Sequence, residues 1–121
     1  MNATKEQIAK HLLDNNFITF YFTAEPEENS PEYHEKQYGL NKGFAKNVRR
    51  NMEKDYYWGW CGVNCVGILN GIKENSYIGG CSYESKEDFI NNSGYVDDMK
   101  QEIANEIAER MVKLYDFYPN S

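Results

Sequence analysis

Residues 56–83 contain the strongest indication of long-range structure in the chain. The dipeptide Asn70-Gly71 lies between two segments rich in aromatic and apolar residues, and it is typical of a two-residue turn in a β-hairpin. Residues 56–69 alternate well enough to predict the first strand, and the second is expected over about 76–83. The sequence "KENS", two residues after the glycine, favours a wider turn as an alternative.

The first of these strands has two faces, and each of them carries apolar side chains. Trp58, Trp60, Val66 and Ile68 share one face, and Cys61, Val63, Cys65 and Leu69 share the other. We expect the face with the two tryptophans to be buried against helices. Tyr56 and Tyr57 precede them at the start of the strand, where we expect partly exposed rings.

Other segments have the 3.6-residue apolar period of helices. This period and the capping residues before it predict helices over about 4–14, 43–54, 86–91 and 96–115. "FITFYFT" predicts a further strand at 17–23, and "AEPEENSPEY" after it, with two prolines, predicts an exposed loop. The expected fold is α+β, with a small three-stranded antiparallel sheet and helices packed on it.

The length of 121 residues predicts a single domain, 1–121, with the final "YPNS" as a frayed tail. No apolar run approaches the roughly 20 residues of a membrane helix, and the first residues lack the apolar segment of a signal peptide. An odd number of cysteines, three, argues against a secreted disulfide framework. We therefore predict a cytoplasmic protein.

The three cysteines, Cys61, Cys65 and Cys81, allow more than one interpretation. On a strand, Cys61 and Cys65 lie about 13 Å apart, too far to share one metal ion. Cys81 returns close to Cys61 if the hairpin has the wider turn, and it faces Trp60 if the turn is Asn70-Gly71. Buried small hydrophobic residues are the favoured interpretation, and a redox pair of Cys61 with Cys81 is the alternative.

The charges are unevenly distributed along the chain. Residues 36–54 carry six Lys or Arg against one Glu, whereas residues 84–109 carry eight Asp or Glu against two Lys. The formal net charge is −6, so the surface as a whole repels phosphate backbones, although a local basic patch at 42–54 remains possible. In the last predicted helix, Asp98, Glu102, Glu106 and Glu109 recur on one face, and Asp97 lies beside them. This face is either a solvated surface or an anionic stripe that meets a basic groove on another protein.

No catalytic signature occurs in the sequence. His11 and His34 have no neighbouring residues that suggest a relay, and there is no phosphate-binding loop, dinucleotide fingerprint or metalloprotease motif. An enzyme is therefore the less favoured class, and we expect neither a cofactor nor a metal ion.

The segments "YYWGWCGVNCVGI" and "YIGGCSYESKEDFINNSGYVDDM" resemble a family of short, uncharacterised proteins of bacteriophages and other mobile elements. The similar parts are the "WGWC" strand, the "GGCSY" return strand and the helices that contain "EDF" and "DDM", and they cover about 56–110. The resemblance implies an accessory role, since small acidic proteins of this kind often disarm host defence, anti-CRISPR inhibitors among them.

Three hypotheses follow. The first is a non-enzymatic inhibitor, in the cytoplasm of a bacterial host, that binds a defence protein with a basic nucleic-acid groove. Its contacts would be Asp97, Asp98, Glu102, Glu106 and Glu109, with Tyr56 and Tyr57 as anchors. The second is a module that holds a nucleotide signal between Tyr57 and Arg49 or Arg50. The third is a self-associating structural protein.

Overall fold

The computed structural model describes residues 3–117, and this part of the chain has an α+β fold. Its helices are α1 (Lys5–Asp14), α2 (Pro31–Gln37), α3 (Phe44–Lys54), α4 (Lys86–Asn92) and α5 (Val96–Phe117). Its strands are β1 (Thr19–Pro26), β2 (Cys61–Leu69) and β3 (Ile72–Cys81). They form a three-stranded antiparallel sheet of order β1-β2-β3 within the described residues. The predicted fold class and the four predicted helices are confirmed.

Contacts among the described residues divide the chain into two compact units. Unit 1 comprises the described residues of Met1–Phe22, Cys65–Ser76 and Val96–Ser121. Unit 2 comprises Thr23–Asn64 and Tyr77–Tyr95. That the whole chain is one domain stays a prediction, and the tail expected to fray, 118–121, lies outside the described residues.

In unit 1, helices α1 and α5 pack against each other. Helix α1 begins at Thr4, whose hydroxyl accepts from the Gln7 backbone N–H, while the Gln7 side chain accepts from the Thr4 backbone N–H. Ile103 and Ile107 of α5 are fully buried. Gly67 of β2 lacks the Cβ atom that would collide with the Ile103 side chain, so α5 approaches this strand closely.

In unit 2, helices α2 and α3 pack against each other, and the two tryptophans before β2 contact helices of this unit. The Trp60 ring lies edge-on to His34 of α2 at 4.9 Å and to Phe44 of α3 at 5.9 Å between centroids. Trp58 contacts Phe89 of α4 at a centroid distance of 5.7 Å. Both tryptophans are buried, as predicted.

The prediction of a loop throughout "AEPEENSPEY" is wrong, since its last residues begin helix α2. Ser30 is the N-cap, its hydroxyl accepts from the Tyr33 N–H at 3.1 Å, and Pro31 occupies the first helical position. Serine followed by proline is a helix-start signal as well as a turn signal. The first three residues of the same segment, 24–26, belong to strand β1, which therefore ends at Pro26 and not at the predicted residue 23.

The predicted β2-β3 hairpin is confirmed, but the bounds of its two strands differ from the predicted ones. Strand β2 begins at Cys61 because the Asp55 carboxylate accepts from the backbone N–H groups of Tyr57 and Trp58, at 3.1 Å each, and bends the chain into a turn. Strand β3 begins at Ile72, directly after Asn70-Gly71. Both turn residues have positive φ, 47° and 85°, as the tight two-residue turn requires. The wider turn is therefore excluded.

The prediction of which face of β2 is buried is only partly correct. Because the strand begins at Cys61, the two tryptophans belong to the preceding turn and not to the alternation of the strand. Cys61, Val63 and Cys65 are fully buried, whereas Val66 and Ile68 are half-buried. The face with the cysteines is thus the deeper one.

Candidate functional site

The acidic residues predicted as a binding stripe lie along helix α5 in unit 1. Asp97, Asp98, Glu102 and Glu106 are exposed, and Glu109 is half-buried. The buried residues Ile103 and Ile107 line the opposite side of the helix. The 3.6-residue period thus separates an apolar side from a carboxylate side, which we call the acidic stripe (Asp97, Asp98, Glu102, Glu106 and Glu109).

Two members of the acidic stripe have partners in unit 1. Glu102 accepts a hydrogen bond from the Ser76 hydroxyl at 2.9 Å, and Glu109 pairs with Lys113 at 3.5 Å. Within residues 3–117, Asp97, Asp98 and Glu106 form no ion pair. Their charges are therefore left for solvent or for a partner.

The nearest cations on α5 are directed to other groups. The Lys100 ammonium lies over the Phe20 ring, 5.2 Å from its centroid, and Arg110 pairs with Glu74 at 2.8 Å. Lys100 and Asp97 also line a pocket of about 310 Å³. Its other lining residues are Leu12, Leu13, Asn16, Phe20 and Gln101. An opening with apolar walls thus lies at the N-terminal end of the acidic stripe.

Tyr56 and Tyr57 belong to unit 2, in the turn between α3 and β2. They are 68% and 64% exposed, and their rings stack edge-to-face with centroids 5.6 Å apart. Amphipathic Tyr rings are common anchors in binding surfaces. The predicted protein-binding residues are thus divided between the two units.

Both tyrosines line a second pocket, of about 70 Å³, which we call the aromatic pocket. It is lined by Pro26, Glu27, Met52, Tyr56, Tyr57 and Trp60. The Glu27 carboxylate is held by the Gly80 backbone N–H, which donates to its Oε1 at 2.7 Å. The Trp60 indole N–H donates to the Asn29 carbonyl oxygen at 2.7 Å. The charged side chain and the deepest ring are therefore both fixed in place.

The two arginines of the nucleotide hypothesis do not line the aromatic pocket. Arg49 donates twice to Glu32, at 3.1 and 2.7 Å, and these hydrogen bonds hold the pKa of Glu32 below its usual range. Arg50 is exposed on α3. The charged group beside Tyr57 in the pocket is thus the Glu27 carboxylate, which a phosphate would avoid. The basic patch at 42–54 is also reduced, since Lys54 pairs with Glu84 at 2.7 Å.

The three cysteines are buried and free, and no cluster of metal-binding side chains occurs in the described part of the chain. Burial raises the pKa of the Cys61 thiol to about 12 and the pKa values of Cys65 and Cys81 to about 11. Cys61 donates to the Trp58 carbonyl oxygen at 3.8 Å. These are the properties of packing residues, because nucleophilic and redox-active cysteines need an accessible thiolate.

We expect all three thiols to react slowly with dithionitrobenzoate at pH 8 in the folded protein and rapidly in guanidinium chloride, because only the thiolate reacts.

Above pH 9 the ionisation of the same three thiols should lower the stability of the folded protein. Their folded pKa values lie above the ordinary 9.0, so the stability they contribute is complete below about pH 9 and is lost as the pH rises toward 11 or 12.

Urea denaturation at pH 8 and pH 10.5 measures this loss. A Cys61→Ala variant should lose less stability over the same interval, since its most strongly shifted thiol is absent. An equal loss in both proteins, or a fast-reacting thiol in the folded chain, would contradict the assignment.

Four residues of the aromatic pocket were not predicted as site residues: Pro26, Glu27, Met52 and Trp60. Glu27 lies in the segment predicted to be a loop, and Trp60 is one of the two tryptophans expected in the core. The only available signal was the concentration of rings in "YYWGW", which does not show which carboxylate joins them.

None of the helices in residues 3–117 combines the length and the apolar character that crossing a bilayer requires. Comparisons of the chain with protein-family models, with curated proteins and with solved structures find no match.

Proposed function

We propose that the chain is a non-enzymatic binding protein whose acidic stripe docks on a basic surface of another protein. One observation carries the proposal: Asp97, Asp98 and Glu106 are exposed on one helix and form no ion pair within the described residues. The resemblance to phage accessory proteins extends it. The partner would be a host defence protein with a basic nucleic-acid groove, met in the bacterial cytoplasm and inhibited by occupation of that groove.

The carboxylates of the acidic stripe are suited to docking on a basic surface because they repeat along one side of a single helix, α5. An ion pair between exposed groups contributes about 0.2–1 kcal/mol, and complementary charge also speeds association. Like charges at this spacing cost the isolated helix only a few tenths of a kcal/mol per pair. A cationic groove would therefore gain more from the acidic stripe than the helix loses by carrying it.

The pocket at the N-terminal end of the acidic stripe adds an anchoring point to the electrostatics. Its volume of about 310 Å³ is at the lower end of the range for small-molecule sites. This volume is large enough for one long side chain of a partner. Asp97 and Lys100 line it together with Leu12, Leu13 and Phe20, which supply the apolar walls. A Lys or Arg of the partner would place its aliphatic stem on these walls and its charge beside Asp97.

A charge-neutral variant tests the docking. Asp97→Asn, Asp98→Asn and Glu106→Gln together remove three charges from the acidic stripe. The matched control is Glu28→Gln, Glu53→Gln and Glu87→Gln, three exposed acids outside the acidic stripe that change the net charge equally. Glu87 also lies in the first turn of a helix, as Asp97 and Asp98 do, so the control includes one of the two changes that act on a helix dipole.

Each protein is used to capture partners from a bacterial lysate, and the captured protein is purified and titrated at about 50 and 300 mM salt, on either side of a Debye length of about 10 Å. We expect association to slow by about tenfold for the variant and less than twofold for the control. Equal binding of all three proteins would refute the docking by the acidic stripe. A captured protein that does not bind nucleic acid would refute the defence-protein part alone.

A further inference from the structure

The aromatic pocket of unit 2 is independent of the acidic stripe and has its own chemistry. Three aromatic rings, a thioether, a proline and one carboxylate line a space of about 70 Å³. Sites for drug-sized molecules or nucleotides are typically 300–1,000 Å³. The pocket is therefore the size of a single functional group, and its walls specify which group that is.

The carboxylate is fixed at the pocket by the fold. Gly80 has a positive φ of 66°, and its N–H donates to Glu27 Oε1 at 2.7 Å. Among the described residues, Oε2 of Glu27 has no hydrogen-bond partner. One oxygen thus holds the side chain in place, and the other is left for a ligand.

The Arg49 guanidinium does not neutralise this carboxylate. Arg49 lies beside the pocket, with its Nη1 3.9 Å from the Met52 sulfur, but its other nitrogens bind both carboxylate oxygens of Glu32. Within the described residues Glu27 forms no ion pair, so its charge adds to the attraction that the electron-rich faces of aromatic rings have for a cation.

We propose that the aromatic pocket binds an alkylated ammonium group, of the kind present in choline-type compounds and in methylated lysine side chains. Aromatic rings attract such cations through their quadrupoles, and the methyl groups are too weakly hydrated to resist transfer from water. Met52 and Pro26 supply apolar contact for the methyl groups. Glu27 balances the charge without demanding an N–H donor, which a quaternary ammonium lacks.

The test compares choline with 3,3-dimethylbutan-1-ol, which has the same shape and no charge. Binding is followed by the NMR shift of the Trp60 indole N–H, which lies at the pocket. We expect choline to bind with a Kd on the order of millimolar and the neutral isostere at least about tenfold more weakly. Equal affinities, or no shift at about 50 mM choline, would overturn the proposal.

Two variants assign the binding to the pocket. Glu27→Gln removes the charge but keeps an oxygen for the Gly80 N–H, and Tyr57→Leu removes one ring. Each should weaken choline binding by about fivefold. The matched controls are Glu28→Gln, the neighbouring acid, and Tyr38→Leu, an exposed tyrosine that does not line the pocket. The controls should stay within about twofold of the original affinity, and weakening by all four changes alike would contradict the assignment.

A trimethyllysine peptide with a neutral sequence distinguishes the two sources of the group. A peptide that binds at least about tenfold more tightly than choline, and more tightly than its unmodified lysine form, identifies a protein side chain. Affinities equal to that of choline identify a free small cation. Melting temperatures of all variants show whether a loss of binding is a loss of folding.

Discussion

Replacement of Gly59 by alanine is expected to lower the free energy of unfolding by about 3 kcal/mol. The glycine lies at the end of the turn before β2, and its N–H donates to the Asp55 carbonyl oxygen at 2.8 Å. A Cβ atom at this position would lie 2.5 Å from the Met52 Cα and 2.7 Å from that same oxygen. Both are backbone atoms, so the end of α3 or the turn itself has to move. Thermal unfolding followed by circular dichroism should show a fall of about 10 °C in Tm.

Gly62→Ala is the matched control. A Cβ atom there would also be too close to a neighbour, but the neighbour is the ring of Tyr77, which is 53% exposed. The ring can rotate into solvent, so the expected cost is about 1 kcal/mol or less. If both substitutions lowered Tm equally, the close approach of backbone at Gly59 would not be the cause.

Phe89→Ala is expected to cost about 4 kcal/mol and to lower Tm by about 15 °C. The side chain is fully buried on α4, with its ring centroid 5.7 Å from that of Trp58 and 5.1 Å from that of Tyr83. Truncation removes both aromatic contacts and leaves a cavity beside Trp58. Urea denaturation measures the loss, and tryptophan emission should shift to the red as Trp58 gains contact with water.

The neighbouring Ile90 provides the comparison for this prediction. It lies on the same helix but is 38% exposed, so Ile90→Ala should cost about 1 kcal/mol. A similar loss for the two variants would mean that α4 is sensitive to any truncation and that the aromatic cluster is not the main source of its stability.

Helices α1, α3, α4 and α5 and the hairpin turn are readable from the sequence because their signals are local. Asn70-Gly71 has the backbone preference of one turn type, and the apolar residues of α5 repeat with the helical period over about five turns, from Val96 to Leu114. The same period places the acidic stripe on the outside of α5. These features need no knowledge of distant residues.

The missed features depend on contacts that the sequence does not specify. Residues 56–60 have strand-forming side chains, but the Asp55 carboxylate bends them into a turn. Ser30-Pro31 is equally typical of a turn and of a helix start, and contacts between α2 and α3 accompany the helix. Glu27 is held in the aromatic pocket by a backbone N–H 53 positions later in the chain. No local pattern predicts that pairing.

The start of helix α3 has a consequence for how unit 2 assembles. Gly43 at its N-cap provides no side-chain acceptor, and the Ala45 N–H instead donates to the Glu35 carboxylate of α2 at 2.9 Å. An eleven-residue helix is too short to be stable by itself in water. The hydrogen-bond acceptor that the N-cap of α3 lacks is supplied by Glu35 of α2. We therefore expect the two helices to form and unfold together as one cooperative unit, with little order in α3 before α2 is in place.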